Sequence, residues 1–447
     1  NTDYLDDGFS YPYQLSIAIA GLFYGLIGIL IIIISLSYFF SDKVIALSCI
    51  LVFLGTNFIQ YSVKDAGMTH VYVFFLFALL LFFTIRWHKK RSIKNTIAIG
   101  FLLGIIAITR ITDLIVFLIP LLWGVSSILE LKEKIKFIIN NRTILLCLVL
   151  SFILALLPQL IYWKMSYGSW IYNTGSKWNF LTPHFRVLIG GEKGLFIYTP
   201  ITILFLIGLF YIRNKPFSVA ILWFSILNAY ILLSWHDWTY AASYACRAFV
   251  QSYAVMIFLT SLVVHEIFLR KNKILFFLGA LYFIGVNLFQ IKQYNEGIIH
   301  YHKNNFKYYS QIYLNSTPTP LQLSLLDTDD FIFFSSGKPR QVLKKNNIDI
   351  TVNPNEKEII NKFFVKEIYY KISMVIKTSD IWNTNIYAKS GEKTVSFRLN
   401  RFGVNEFEEN LYEFYFLPTN SGELEIGISS KYGCNANIKD FIVEEIR

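Results

Sequence analysis

WHDWTYAASYACRAFVQSY, residues Trp235–Tyr253, is a short aromatic loop that feeds Arg247 into the mouth of a long apolar segment. Trp235, Trp238, Tyr240, Tyr244 and Tyr253 surround that arginine in sequence. Aromatic rings concentrate where a bilayer meets water, and a guanidinium grips phosphate in a two-pronged way that a lysine cannot. The stretch reads as a membrane boundary carrying a cation suited to an anionic head group. Taken alone it is read first as a snorkelling arginine in an ordinary aromatic belt, so its meaning depends on the rest of the chain.

The 447 residues are 54% hydrophobic and 17% aromatic, with mean hydropathy +0.46. That is too apolar for a soluble chain of this charge content and indicates an integral membrane protein. Charge is uneven: residues 1–326 carry 25 Lys+Arg against 12 Asp+Glu, and residues 327–447 carry 16 against 18. The basic residues of the first part cluster between apolar runs, which points to cytoplasmic loops rather than to nucleic acid. Cys49, Cys147, Cys246 and Cys434 lie far apart with no CxxC and no histidine spacing, so neither a disulfide framework nor a zinc site is implied. Residues 1–14 are polar and acidic and read as the tail of an external loop, with further N-terminal sequence expected upstream.

About ten apolar runs follow: Leu15–Phe40, Val44–Tyr61, Val71–Trp87, Thr96–Ile108, Leu114–Leu129, Ile144–Tyr162, Leu195–Ile212, Phe217–Trp235, Ala248–Phe268 and Ile274–Ile291. By the roughly 20-residue rule for a bilayer crossing, 15–291 is a polytopic helical membrane domain. If each run crosses once, the basic loops (86–94, 130–142, 213–215 and 270–273) share one side, the cytoplasm. Residues 62–70, 110–113, 163–194, 236–247 and everything beyond 292 then lie on the other, extracytoplasmic side. A polar connector spans 292–326. Residues 327–447 read as about eight short strands, beginning with Asp330–Ser335 and Ile348–Val352, separated by Asn, Gly, Pro and Ser turns: an external β-sandwich of jelly-roll type.

No internal repeat is visible, and nearly every ionisable group sits at the end of a run, so chemistry at the outer interface is favoured over passage through the bilayer. The polar inventory of that face is Asp6, Asp7, Asp65, His70, Arg110, Asp113, Lys164, His184, Arg186, Lys193, His236, Asp237 and Arg247. Carboxylates can serve as bases or metal ligands, and the cations can hold phosphate. Each has a plainer reading too: Arg110 and Asp113, three apart, can simply pair, and His70 can be an ordinary interfacial histidine.

The ordered set DGFSYPYQ (7–14), GTNFIQY (55–61), GMTHVYVFF (67–75), GFLLGIIAITR (100–110), PQLIYWKMSYGSW (158–170), KGLFIYTPI (193–201) and the opening stretch resembles bacterial C-type (GT-C) glycosyltransferases. These are multi-pass relatives of protein mannosyltransferases and of aminoarabinose transferase. The resemblance covers roughly residues 7–301. It implies transfer of a sugar from a polyprenyl-phosphate carrier to a lipid, protein or glycan acceptor at the extracytoplasmic face of the bacterial plasma membrane, with a divalent metal ion as a candidate cofactor. It also implies a catalytic carboxylate in the first external loop, of which residues 1–14 look like the tail only, so that the main base is expected outside this chain. Among the residues present, Arg247, Lys193, Arg110, Asp237 and Tyr244 are the candidates for binding the phosphorylated donor, and Asp65 with His70 for orienting the acceptor or a metal. Tyr167, Trp170, Trp178 and Phe180 are candidates for stacking on sugar or covering isoprenoid. Where relatives carry Gly-Gly-Ser-Phe-Gly-X-Arg, this chain has Ala241-Ala242-Ser243-Tyr244-Ala245-Cys246-Arg247. The arginine matches, and the glycines that would give backbone freedom do not. The competing function class is a non-catalytic membrane protein of glycan export or assembly whose outer domain binds carbohydrate.

Overall fold

The computed structural model describes residues 7–172, 175–330 and 339–446. Asp6 and all but the first residue of the expected strand Asp330–Ser335 lie outside the described residues. The chain divides into two compact units, residues 1–291 and 292–447.

The first unit is helical, and each of the ten apolar runs contains a helical segment. α1 (Tyr11–Leu36) starts at a proline in its first turn, behind a turn in which Asp7 Oδ1 accepts from the backbone N–H of Phe9 at 2.8 Å and of Ser10 at 2.7 Å. α2 (Asp42–Gly55), α3 (His70–Lys89) and α4 (Ile93–Thr109) follow. After Arg110 a tight 3-10 segment, Ile111–Phe117, runs into the short α5 (Leu118–Leu122). The basic stretch expected as a loop contains instead an amphipathic helix, α6 (Ile128–Asn140), whose Ser127 cap accepts from Glu130 N. Asn141 caps α7 (Arg142–Tyr167) in the same manner, through Ile144 N, and Gly168 closes it in the left-handed conformation.

Among the described residues, five helices are long and apolar enough to cross a membrane: α1, α3, α7, Arg247–Leu269 and Ile274–Asn295. Shorter apolar helices, Pro200–Tyr211 and Ser218–Leu233 among them, pack between these. Their burial is sorted. Every residue from Tyr253 to Val264 is buried, making that segment the axis of the unit. α7 exposes Leu150, Ile153, Leu154, Leu157 and Ile161. A helix that is apolar all round and leaves such side chains uncovered requires lipid as its solvent.

Glycine decides two of the close packings. In α4, a Cβ on Gly100 would fall 2.2 Å from Ser151 Oγ and 2.4 Å from the Leu148 carbonyl oxygen, and one on Gly104 would fall 2.6 Å from Phe152 O. The Gly100-xxx-Gly104 face therefore lets α4 and α7 meet backbone to backbone. Gly21 of α1 touches Ala66 and Gly28 touches Phe74 in the same way.

The residues of the basic loops are anchored on neighbouring helices. Lys89 Nζ lies 3.8 Å above the Tyr38 ring, Arg91 lies 4.0 Å above Phe137, and Arg270 reaches the Tyr211 hydroxyl at 3.5 Å. Lys134 of α6 donates to the Pro120 and Trp123 carbonyls at 2.9 and 2.8 Å, capping α5, and contacts His88 Nε2 at 2.8 Å. Burial pulls the Lys134 ammonium down to about 7.

The second unit is an antiparallel β-sandwich. Its strands are β1 (Pro339–Lys345), β2 (Ile348–Val352), β3 (Glu356–Val365), β4 (Tyr369–Thr378), β5 (Thr384–Ser390), β6 (Lys393–Arg398), β7 (Asn410–Phe416), β8 (Gly422–Ser430) and β9 (Cys434–Ile446). One sheet runs β1-β9-β4-β7 with β2 also on β9, and the other runs β3-β8-β5-β6. With β1 and β2 counted as one interrupted strand on β9, this is the ordering of a double Greek key, a jelly roll. β4 alternates half-buried and buried residues, and the two inner faces meet in a core that includes Ile372, Phe397, Phe414 and Ile426. Among the described residues, seven of the nine strands coincide with runs read from sequence. β1 and β3 are added, because PRQVLKK and EKEIINKFFV are too charged to stand out as half-buried strands.

Candidate functional site

A cavity of about 850 Å³ opens in the helical unit, and the residues around it come from α4, α7, the loop after α7 and the Trp235–Arg247 stretch. Arg110, Asp237, Tyr240 and Arg247 supply its polar rim, Trp178 and Trp235 an aromatic wall, and Ile108, Phe152, Leu156 and Leu160 an apolar one. Three separate loops are folded together here, each for a local reason.

Arg110 is the residue at which α4 ends, its extended backbone (φ −153°) turning the chain into the 3-10 segment. Its Nε lies 3.2 Å from Asp113 Oδ2, and Asp113 is 1% exposed. Gln251 Nε2 donates to both Asp113 oxygens at 3.1 Å, and Gln251 Oε1 lies 3.0 Å from His70 Nδ1. Since an amide oxygen only accepts, that contact puts the histidine proton on Nδ1. A buried polar chain thus runs from the cavity inward: Arg110, Asp113, Gln251, His70.

Arg247 begins a 3-10 turn ahead of the axial helix. Its Nη1 touches Met68 Sδ at 3.0 Å and the Ala242 carbonyl at 3.4 Å, so most of its donor capacity is left for the cavity. The loop that presents it is tied at several points. The Tyr61 hydroxyl donates to the Tyr244 carbonyl and accepts from Tyr244 N, both at 2.9 Å; the Tyr240 hydroxyl donates to Leu232 O at 2.6 Å; and the Lys193 ammonium donates to the Ser243 carbonyl. Burial, reinforced by the like charge of Arg247 and opposed by Glu192, brings Lys193 down to about 7. Tyr240, Ala241 and Ala245 all have positive φ, at 54°, 53° and 50°. Such backbone, unusual for side chains larger than glycine, persists where surrounding contacts over-determine it.

The loop after α7 docks on the end of the Ser218–Leu233 helix. Asn179 N donates to Ser234 O at 2.6 Å and His184 N to Leu233 O at 2.7 Å, which supplies partners to carbonyls the helix leaves open. This places Trp178 edge-on to Trp235, 4.8 Å between ring centres, and the stacked pair Tyr167–Tyr172 (3.9 Å) beside it.

Of the site residues expected from sequence, Arg110, Asp237 and Arg247 converge on the cavity. Asp237 Oδ1 accepts from the Thr239 hydroxyl at 2.6 Å. Lys193 is behind the loop, holding its backbone. Tyr244 faces inward rather than into the cavity: it is fully buried, with its hydroxyl 3.4 Å from the polar oxygens of Asn287 and Gln290. Asp65 and His70, expected to act as a pair, are committed to different partners, Asp65 accepting from Gln60 Nε2 at 3.1 Å. Trp178 lines the cavity; Phe180 packs on Tyr230, and Trp170 is exposed. Gln251, Gln159 and Tyr172 were not singled out from the sequence. The signal was available for the first two, since an amide side chain inside an apolar membrane segment needs a partner and marks a site. Among the described residues no group of three or more His, Cys, Asp or Glu is placed to hold a metal ion. Asp65 and His70, the pair expected to orient the acceptor or a metal, are each engaged by a glutamine, Gln60 and Gln251.

No protein-family model matches this chain, and no curated protein matches it in sequence. Two solved structures are similar to it. One is ArnT from Cupriavidus metallidurans in the apo state, at 13% identity and TM-score 0.40, over 67% of this chain and 51% of that one. The other is the apo oligosaccharyltransferase of Archaeoglobus fulgidus, at 12% identity and TM-score 0.41, over 69% of this chain and 48% of that one. This chain thus spans about half the length of either.

Proposed function

We propose that this protein transfers a sugar from a polyprenyl-phosphate carrier to an acceptor at the membrane surface. The observation that carries the reading is the cavity itself: two guanidiniums and a carboxylate rim a space of about 850 Å³ whose other wall is the apolar face of α7. An amphipathic anion, charged at one end and hydrocarbon at the other, is the ligand such a surface suits.

In the transfer, the acceptor hydroxyl oxygen bonds to the anomeric carbon, the bond from that carbon to the phosphate oxygen breaks, and the electron pair leaves with the carrier phosphate. Arg110 and Arg247 lie where that growing negative charge is held, fixed beforehand by Asp113 and by the tied loop, so no reorganisation is needed as the charge develops. Asp237 can accept hydrogen bonds from sugar hydroxyls, and Trp178 and Trp235 offer ring faces to the sugar. The proton of the acceptor hydroxyl goes to a base for which the resemblance points to the loop ahead of Gln14. Lys193 supports this arrangement from behind, its ammonium holding the Ser243 carbonyl of the loop that presents Arg247.

The test is transfer of radiolabelled sugar from polyprenyl phosphate by the full-length protein reconstituted in vesicles. Label should appear in a lipid, protein or glycan fraction, and Arg247→Ala should lower turnover by about 10²–10³, the loss expected on removing one charge-stabilising donor, with unchanged thermal stability. Absence of transfer, combined with failure of polyprenyl phosphate to bind, overturns the reading.

A further inference from the structure

Two basic stretches, residues 86–94 and 130–142, meet in the helical unit. Arg91 of the first lies 4.0 Å above the Phe137 ring of α6, and His88 Nε2 lies 2.8 Å from Lys134 Nζ. Lys134 aside, the two stretches hold eight Lys and Arg: Arg86, Lys89, Lys90, Arg91 and Lys94 in one, Lys132, Lys136 and Arg142 in the other. All eight are exposed, and among the described residues none of them pairs with a carboxylate. Against them the same stretches set Glu130 and Glu133, and Glu130 already accepts from the Ser126 N–H at 2.8 Å. Like charges gathered without counter-charges of the chain's own call for an anion from outside.

α6 supplies the second observation. It is a basic amphipathic helix with no fully buried residue. Leu131 and Phe137 pack on the core of the unit, and Lys134 donates to the Pro120 and Trp123 carbonyls. Ile128, Ile135 and Ile139 fall on one stripe by their helical spacing, and they stay 75%, 39% and 57% exposed. Lys132 and Lys136 border that stripe. The turn at Asn141 that ends α6 also starts α7, a helix long and apolar enough to cross a membrane. The stripe and its lysines therefore lie where a bilayer begins. Beside the first turn of α6 is an open apolar groove of about 440 Å³, walled by Leu122, Leu131, Val219 and Trp223 together with Ser126 and Ser127.

We propose that α6 and the 86–94 stretch form a binding site for anionic phospholipid, with its phosphate held by the exposed cations and its acyl chains lying along the isoleucine stripe and the groove. A helix that borders an apolar stripe with lysines is the kind that lies in the plane of a membrane interface. Hydrocarbon is the solvent that the exposed isoleucines need, and a phosphodiester head group brings the missing negative charge. Setting the orientation of the chain needs basic loops, but it needs neither the meeting of two such loops nor the stripe between them. The site shares no residue with the cavity of about 850 Å³, so it stands or falls apart from the glycosyl-transfer reading.

The experiment is native mass spectrometry of the full chain in detergent, titrated with equal amounts of phosphatidylglycerol and phosphatidylcholine. Each cation near an anionic surface is worth about fivefold in binding, so phosphatidylglycerol should be retained about tenfold or more tightly, and Lys132→Gln with Lys136→Gln should cut that preference at least about fivefold. Lys215→Gln with Lys271→Gln removes the same charge from the other basic loops and should leave the preference unchanged. All four lysines are exposed, so folding is not at stake in either variant. In nanodiscs, a spin label at Ile135→Cys should be reached by oxygen in preference to a water-soluble nickel chelate, and one at Glu133→Cys the reverse. Equal retention of the two lipids, indifference to the Lys132 and Lys136 changes, or an equal loss in both double variants overturns the proposal. So does a label at Ile135 that is open to water, which would hand the stripe to a protein partner.

Discussion

Ala241 and Ala245 occupy left-handed backbone at φ 53° and 50°, in the positions where the family pattern has glycine. A Cβ in that conformation costs about 1–2 kcal/mol, part of which glycine would give back as unfolded-state entropy. Ala245→Gly and Ala241→Gly should therefore each raise stability by about 0.5–1 kcal/mol, seen as a higher melting temperature in detergent; a fall in both would mean that the loop conformation is not held in solution. The chain keeps the glycine-type backbone without the glycines because Tyr61, Tyr240 and Lys193 pin it. Gln251 is the second residue on which much hangs. Replacing it by leucine strands the Asp113 carboxylate and the His70 N–H together, and loss of hydrogen bonds to a buried charged group costs about 1.5–3 kcal/mol each. Gln251→Leu should accordingly lower stability by several kcal/mol in denaturant or thermal unfolding, whereas Gln251→Glu keeps an acceptor for His70 but sets a second carboxylate against Asp113. Lys193 gives a pH signature. Its pKa is about 7 folded against about 10.4 in an unfolded chain, so between those values the unfolded state binds more protons. Stability should rise with pH across that window and flatten below about 7, and Lys193→Met should remove the slope.

Among the elements, the α4–α7 contact controls the cavity most directly, because α4 ends in Arg110 and α7 forms the apolar wall. Gly104→Leu inserts a side chain where even a Cβ would lie 2.6 Å from Phe152 O. Overpacking of this kind costs about 1–3 kcal/mol, and it should also widen or distort the cavity, so binding of polyprenyl phosphate should fall together with stability. Exposed changes on the lipid side of the same helix, such as Leu154→Val, should alter neither. The GFLLGIIAITR stretch displays both facts in one line, the small-residue spacing and the terminal arginine, but the sequence reading took from it only the arginine. In the sandwich, alternation made β2 and β4–β9 legible, whereas β1 and β3 were hidden by their charge.

For the molecule as a whole, the first unit holds its cations in two groups. Lys89, Arg91, Lys134 and Arg270 lie with one set of loops, and Arg110 and Arg247 lie with Trp178 and Trp235 at the cavity. By the positive-inside rule we propose that the first set of loops faces the cytoplasm. Cysteines introduced at Lys132 and Trp170 should react with a membrane-impermeant maleimide from opposite faces in intact cells, Trp170 from outside; labelling of both from one face would end the proposed topology. Hydropathy by itself determined that this is a polytopic membrane protein, and residue alternation that its C-terminal part is a β-sandwich, because a bilayer and a two-sided sheet each impose a pattern that the chain must display. They also supplied Arg110, Asp237 and Arg247 as candidates, since charge at the end of an apolar run is visible in one dimension. Only the tertiary structure decided which candidates share a cavity. It turned Tyr244 inward, parted Asp65 from His70, and revealed Gln251. The physical reason is that a side chain's direction and partners depend on contacts between segments more than a hundred residues apart, and no local period records those.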